Sequence, residues 1–217
     1  MKILALEFSS AQRSVAVVMD GQIRARTQEN GTRENHALSL IEAGLNAAGC
    51  ERENVDCLAV GLGPGSYNGI RSAIAVAQGW QLARGTRILG IRSIESLAAQ
   101  ARIEKIHGQV NIVIDAQRSE FYLARYEVNA SGYRELAPMR LAAREEILAL
   151  VRAGEIVLGP EMTNEWSAAH QLFPDAAMVG QLASGRSDFV PGDRLEPIYL
   201  RETRFVKAPP PRIIPSV

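Results

Sequence analysis

Three glycines and a proline stand within nine residues in Gly63-Pro64-Gly65-Ser66-Tyr67-Asn68-Gly69-Ile70-Arg71, and a turn of that composition has two uses. Gly65 and Gly69 reach backbone angles closed to other residues. Ser66 or Asn68 can cap a following helix by accepting its orphan amides. The free amides and the positive helix end could then hold an anion. Equally, the glycines could serve only to bring strand and helix close together. Arg71, in the first helical turn, opposes the helix dipole and so predicts an acidic partner or an anionic ligand.

Two acids, Glu7 and Asp115, end apolar runs and offer a pair of carboxylates, with Ser9, Ser10 and Arg118 beside them. Such carboxylates either work as a pair or accept the backbone hydrogen bonds of their own turns. No nucleophile or metal set accompanies them. Ser66 is not the central serine of a Gly-x-Ser-x-Gly elbow. His36, His107 and His170 are far apart in sequence, no His-Glu-x-x-His run occurs, and His36 reads as a helix-surface residue. Cys50 and Cys57 lack metal-ligand spacing and read as reduced packing residues. No catalytic residue, metal or cofactor is expected.

Twenty-four basic and twenty-four acidic side chains leave a formal net charge of zero, and no Lys/Arg run occurs. That balance argues against unaided binding of nucleic acid, whose affinity comes largely from phosphate neutralisation. The opening Ile3-Leu4-Ala5-Leu6 runs straight into Glu7, without signal-peptide organisation. No apolar run approaches the roughly 18 residues that span a bilayer. A soluble, cytoplasmic protein is expected.

The elements that would position these residues come in two similar sets. Strands are expected at 2–8, 14–19 and 22–28, with Asp20-Gly21 as a hairpin turn. A helix follows at 34–48, closed by Gly49. After it come a buried strand at 58–62, a helix at 69–83, a strand at 87–91 and a helix that Ser93 can cap. The second half repeats the opening with strands at 110–115 and 121–128, then a helix at 144–153 and a strand at 155–158. Ala11-Gln12-Arg13-Ser14 and Ala116-Gln117-Arg118-Ser119 place one tetrapeptide in both turns, and the pattern reads as a duplicated unit. Two domains are expected, 1–103 and 104–217, the second ending in a Pro-rich tail that favours an extended or disordered end. Hairpin-led mixed sheets flanked by helices, present twice, define an α/β protein of the actin-like ATPase fold. In that superfamily acid-tipped hairpins grip nucleotide phosphates and metal, an analogy of fold only.

The two N-terminal helices carry more apolar surface than one sheet needs. On the helix at 69–83, Ile70, Ile74 and Ala77 form a core stripe, while Ala75, Val76, Gly79, Trp80 and Ala83, with Ser72 beside them, make a second. On the helix at 34–48, Leu38, Ile41, Leu45 and Ala48 form the core stripe, and His36, Leu40, Ala43 and Ala47 the second. Small residues let another helix approach to roughly 8 Å between axes. An intermolecular contact is therefore expected on these faces.

The opening ten residues, the loop 63–71 with its small-residue helix, residues 115–122, the Gly159-Pro160 turn and Pro197-Ile198-Tyr199-Leu200-Arg201 together resemble the bacterial tRNA threonylcarbamoyladenosine biosynthesis family TsaB, also called YeaZ or the glycoprotease-like M22 family. The resemblance covers nearly the whole chain. It implies a non-catalytic accessory subunit that pairs with the metal-bearing transferase TsaD, alongside the ATPase TsaE. It also implies a homodimer when TsaD is absent, and contact with tRNA only through the complex. Glu7, Ser9, Ser10, Gly65, Ser66, Asp115 and Arg118 would then be degenerate phosphate-loop positions. Phe8 stands where the family usually has a hydroxyl. The competing functions are an independent nucleotide-dependent phosphotransferase and, from the old family name, a metallopeptidase.

Overall fold

The computed structural model describes residues 1–31, 37–162, 166 and 169–200. Within them, β1 (Lys2–Glu7), β2 (Gln12–Met19) and β3 (Gln22–Asn30) form an antiparallel meander, and β4 (Cys57–Gly61) and β5 (Arg87–Ile91) extend it in parallel from β1. The resulting order is β3-β2-β1-β4-β5. The second sheet repeats that plan. Its meander is β6 (Gly108–Asp115), β7 (Glu120–Asn129) and β8 (Gly132–Ala143), and β9 (Ile156–Gly159) and β10 (His170–Gln171) extend it in parallel from β6, giving β10-β9-β6-β7-β8. The expected duplication is present as topology. The tetrapeptide thought to mark it is not in equivalent positions. Ala116 directly follows the acid that ends β6, whereas Ala11 lies four residues beyond the acid that ends β1.

Alternation along the strands assigns each face its cover. On the first sheet, Leu4, Leu6, Val15, Val17, Leu58 and Val60 face α1 (Ala37–Ala47) and α2 (Tyr67–Arg84). The opposite face presents Ile3, Ala5, Ala16, Val18, Ala59 and Leu89 to α5 (Ala176–Ser184). On the second sheet, Val110, Ile112 and Ile114 face α3 (Ser93–Ile103), while Val113, Leu123 and Val157 share a cluster with Ile147 of α4 (Arg144–Arg152), Met162 and Trp166. Helices α3 and α5 also touch each other. The layers therefore run α1 and α2, first sheet, α5 against α3, second sheet, α4.

Position along the chain does not decide which sheet a helix covers. α5 follows the whole second meander yet packs on the first sheet. It is seated by its cap residue Asp175, which accepts from the Ala177 amide at 2.8 Å and is paired with Arg26, and by Ser14, whose Oγ accepts from the Ala176 amide at 2.9 Å. Gly180 makes the seating close, because a Cβ there would lie 2.6 Å from a Val18 methyl and 3.2 Å from the Ala5 methyl. Beyond α5 the chain stays with the first sheet. Val190 donates to the Ile88 carbonyl and Ile198 to the Leu62 carbonyl, and Tyr199 stacks on Tyr67 at 5.4 Å.

The expected strands and helices of the first half recur within a few residues. Asp20 and Gly21 both have positive φ, 50° and 77°, as a two-residue hairpin requires. Three features differ from the sequence expectation. Ser93 does not cap α3; it is the first helical residue, and its hydroxyl is engaged elsewhere. The core stripe of α1 is Ala37, Leu40, Ile41, Gly44 and Leu45, so Leu40 is buried while Leu38 is 70% exposed, the reverse of the expected placement. Elements β8, β10 and α5 were not expected at all. His36 and the tail from residue 201 lie outside the described residues.

Candidate functional site

The glycine loop meets the first hairpin backbone to backbone. The Ser66 amide donates to the Ser9 carbonyl at 2.6 Å, and the Ser66 hydroxyl caps α2 by accepting from the Gly69 amide at 3.3 Å. A Cβ on Gly65 would lie 2.1 Å from the Ser9 carbonyl oxygen, and one on Gly69 would lie 1.9 Å from that of Phe8. Both glycines are thus required by close approach of the hairpin, and the hairpin occupies ground that a phosphate-binding loop would leave open. Of the two uses the sequence allows, the geometry favours the architectural one. Phe8 is fully buried beneath this contact.

Glu7 faces inward. Its Oε1 accepts from the Ser9 amide at 2.8 Å and its Oε2 from the Ser93 hydroxyl at 2.7 Å, while Ser93 Oγ in turn accepts from the Gly63 amide at 3.0 Å. Gly61 makes room for it, since a Cβ there would lie 2.1 Å from the carboxylate. Burial raises the Glu7 pKa above the usual carboxylate range, opposed by the hydrogen bonds from Ser9 and Ser93. The result is a clamp joining hairpin, loop and α3. Ser10 donates to the Gln12 carbonyl at 2.9 Å, and the Ser9 hydroxyl is buried without a hydrogen-bond partner among the described residues. Sequence reasoning missed Ser93 because a serine at a helix start reads as a cap; the carboxylate it meets is 86 residues away.

The second hairpin is built differently. Asp115 Oδ1 accepts from the Gln117 amide at 2.7 Å, and Gln117, Arg118 and Ser119 are all left-handed, with φ of 66°, 57° and 63°. Asp115, Gln117, Arg118, Ser119, Phe121, Arg144, Glu161 and Trp166 line an open cavity of about 400 Å³. Glu161 accepts from the Asp115 amide at 3.2 Å, and burial, with the Asp115 charge adding to it, pushes its pKa up to about 7. The Arg144 guanidinium lies 5.0 Å over the Trp166 ring, and Phe121 meets that ring edge-on at 5.8 Å. Glu7 is not among the lining residues, so the two acids do not share this cavity. Glu161 was also missed, although it directly follows the Gly159-Pro160 turn. That turn is fixed by Gly159, where a Cβ would lie 1.8 Å from the Val113 carbonyl oxygen.

The second stripe of α2 is largely uncovered. Ala75, Gly79 and Ala83 are exposed, Leu82 beside them is 91% exposed, and Ser72, Val76 and Trp80 are half-buried. The Trp80 indole N–H is buried without a hydrogen-bond partner among the described residues. On α1, Ala43 and Ala47 are exposed, while Leu40 belongs to the core. Arg71, expected to meet an acid or an anion, donates to the Tyr67 hydroxyl at 2.9 Å and lies 5.1 Å over its ring. Among the described residues no group of three or more His, Cys, Asp or Glu side chains could hold a metal ion. No helix among them is long and apolar enough to cross a membrane.

Two sheets of the same strand order, each led by an acid-tipped hairpin, define the actin-like fold, here with one hairpin sealed by its neighbouring loop. The chain belongs to the family of TsaD, tRNA N6-adenosine threonylcarbamoyltransferase, whose model matches residues 32–185, and within it to the TsaB/YeaZ proteins. It is 31% identical over 134 residues to the tRNA threonylcarbamoyladenosine biosynthesis protein TsaB of Escherichia coli, covering 61% of this chain and 58% of that one. Its match to the Haemophilus influenzae TsaB is 27% identical and covers 96% and 98% of the two chains. YeaZ from Pseudomonas aeruginosa superposes with a TM-score of 0.76 at 26% identity, over 92% of this chain and 99% of that one.

Proposed function

We propose that the protein is a non-catalytic subunit of the machinery that makes threonylcarbamoyladenosine in tRNA beside the anticodon, and that it acts by binding a TsaD-type transferase subunit. The observation that carries this reading is the uncovered second stripe of α2, where Ala75, Gly79, Leu82 and Ala83 leave a helix face with room for another helix. Exposed Ala43 and Ala47 of α1, on the same side of the first sheet, extend it, and Ser72, Val76 and Trp80 form its inner edge. Leu40 belongs to the core and not to this face. The same face serves a second copy of the chain when the transferase subunit is absent. A TsaE-type ATPase completes the assembly, and tRNA is met through the complex rather than by this neutral chain alone.

Support for a silent role comes from the first hairpin, whose acid, amides and glycines are engaged with one another. Reconstitution of tRNA threonylcarbamoylation with and without this chain tests the role; modification is expected to be lost on omission, and the chain alone to turn over no ATP. Ala75→Arg places a long cation on the exposed stripe. It is expected to abolish copurification with the TsaD-type partner while changing the stability of the isolated chain by less than about 0.5 kcal/mol. Unchanged copurification rejects this face as the contact.

A further inference from the structure

The cavity at the second hairpin has walls of both charge signs. Asp115 and Glu161 supply two carboxyl groups, and Arg118 and Arg144 two guanidinium groups, around about 400 Å³. Phe121 and Trp166, edge to face and largely buried, add a small apolar part to its lining. One oxygen of Asp115 takes the Gln117 amide, and the other has no donor among the described residues. Arg118 sits on the exposed left-handed tip and makes no ion pair with a described residue. A simple anion such as phosphate would face two carboxyl groups here, and a simple amine would face two cations. A small molecule carrying both charges satisfies both walls at once.

We propose that this cavity binds a small zwitterion, an α-amino acid, with its ammonium group on Asp115 and Glu161, its carboxylate on Arg118 and its side chain against Phe121 and Trp166. The space suits such a ligand, since cavities of roughly 300 Å³ and above hold small molecules. The site lies on the second sheet and does not depend on the accessory-subunit reading. Its protonation behaviour carries a sign. Glu161, held near pH 7, is faced by Asp115 from β6, by Arg118 from the hairpin and by Arg144 from α4. An ammonium beside it favours the ionised form and drives its proton off, whereas an anion in the same place draws a proton on.

Calorimetric titration of the full chain at pH 7, in two buffers of different ionisation enthalpy, tests this with glycine, L-threonine, methylamine and inorganic phosphate as probes. Both amino acids are expected to bind with release of about half a proton, the share that Glu161 holds at its midpoint. Methylamine and phosphate are expected to bind about tenfold more weakly or not at all, because each satisfies one wall only. Arg118→Gln, at an exposed tip, is expected to weaken amino-acid binding about tenfold, and Glu161→Gln to abolish the proton release. No binding of either amino acid by the wild-type chain, proton uptake on binding, or methylamine or phosphate binding as tightly as glycine overturns the proposal.

Discussion

The two hairpins at the tips of the two sheets begin from the same design and end in opposite states. In the first, the glycine loop lies directly on the hairpin backbone and Glu7 is sealed between Ser9 and Ser93. In the second, the Asp115 carboxylate takes the Gln117 amide of its own turn, its amide donates to Glu161, and the surrounding charges open onto a cavity. The same four residues, Ala-Gln-Arg-Ser, serve both. In the first copy Gln12, Arg13 and Ser14 are extended and belong to β2; in the second, Gln117, Arg118 and Ser119 form a left-handed run. What differs is their place in the hairpin: Ser14 lies within β2, opposite Glu7, and receives the Ala176 amide, while the second run directly follows Asp115 and turns around it. A duplicated scaffold can therefore close one hairpin and leave the other facing a cavity, without changing its strand order.

If the first hairpin is closed by backbone contact, the largest effect belongs to Gly69→Ala. A methyl there meets the Phe8 carbonyl oxygen at 1.9 Å, and backbone cannot yield as a flexible side chain would. A loss of about 3 kcal/mol in urea unfolding is expected; a change under about 1 kcal/mol would break the comparison at its closed end. Next comes the titration of Glu161. Its folded-state pKa is raised from 4.5 to about 7, so its contribution to stability is fully present below pH 4.5 and is lost as the pH rises to about 7. Glu161→Gln is expected to remove about 2 to 3 kcal/mol of the wild-type decline between pH 4.5 and 8, read by urea unfolding at several pH values. Glu7 adds a slope of the same sign, which the variant retains. The smallest effect is Ser119→Gly, at φ 63°. Relief of a left-handed residue is expected to raise stability by about 0.5 kcal/mol in the same assay, and a loss would mean that the open tip is held by its side chain.

Much of this architecture was legible in local signals. Alternation and apolar runs located β1 to β7, Asp20-Gly21 named its turn, and the spacing of Ile70, Ile74 and Ala77 identified the buried face of α2. The strand β8 was illegible because it is an edge strand, largely exposed, carrying Pro138 and pairing irregularly with β7 between Leu123 and Tyr126. Helix α5 is short and contains Gly180, a poor helix former kept for the close approach to Val18. The misplacement of Leu38 and Leu40 has a similar cause. A short helix with several alanines supports more than one apolar stripe, and its packing on β2 and β3 chooses between them. In the cavity, Asp115 and Arg118 were visible as hairpin residues. Glu161 and Trp166 come from the far side of β9, and nothing local announces that they converge.

Helix α5 crossing back to the first sheet also constrains the order in which the molecule can be made. While the nascent polypeptide emerges from the ribosome, the face bearing Ile3, Ala5, Ala16 and Val18 has no lid until residues 176–184 have been synthesised. The N-terminal half therefore waits, half-covered and prone to aggregate, until the whole second meander, α4 and β9 have been translated. Cutting the gene at the midpoint of its repeat would yield two fragments, each deprived of a piece of its interior.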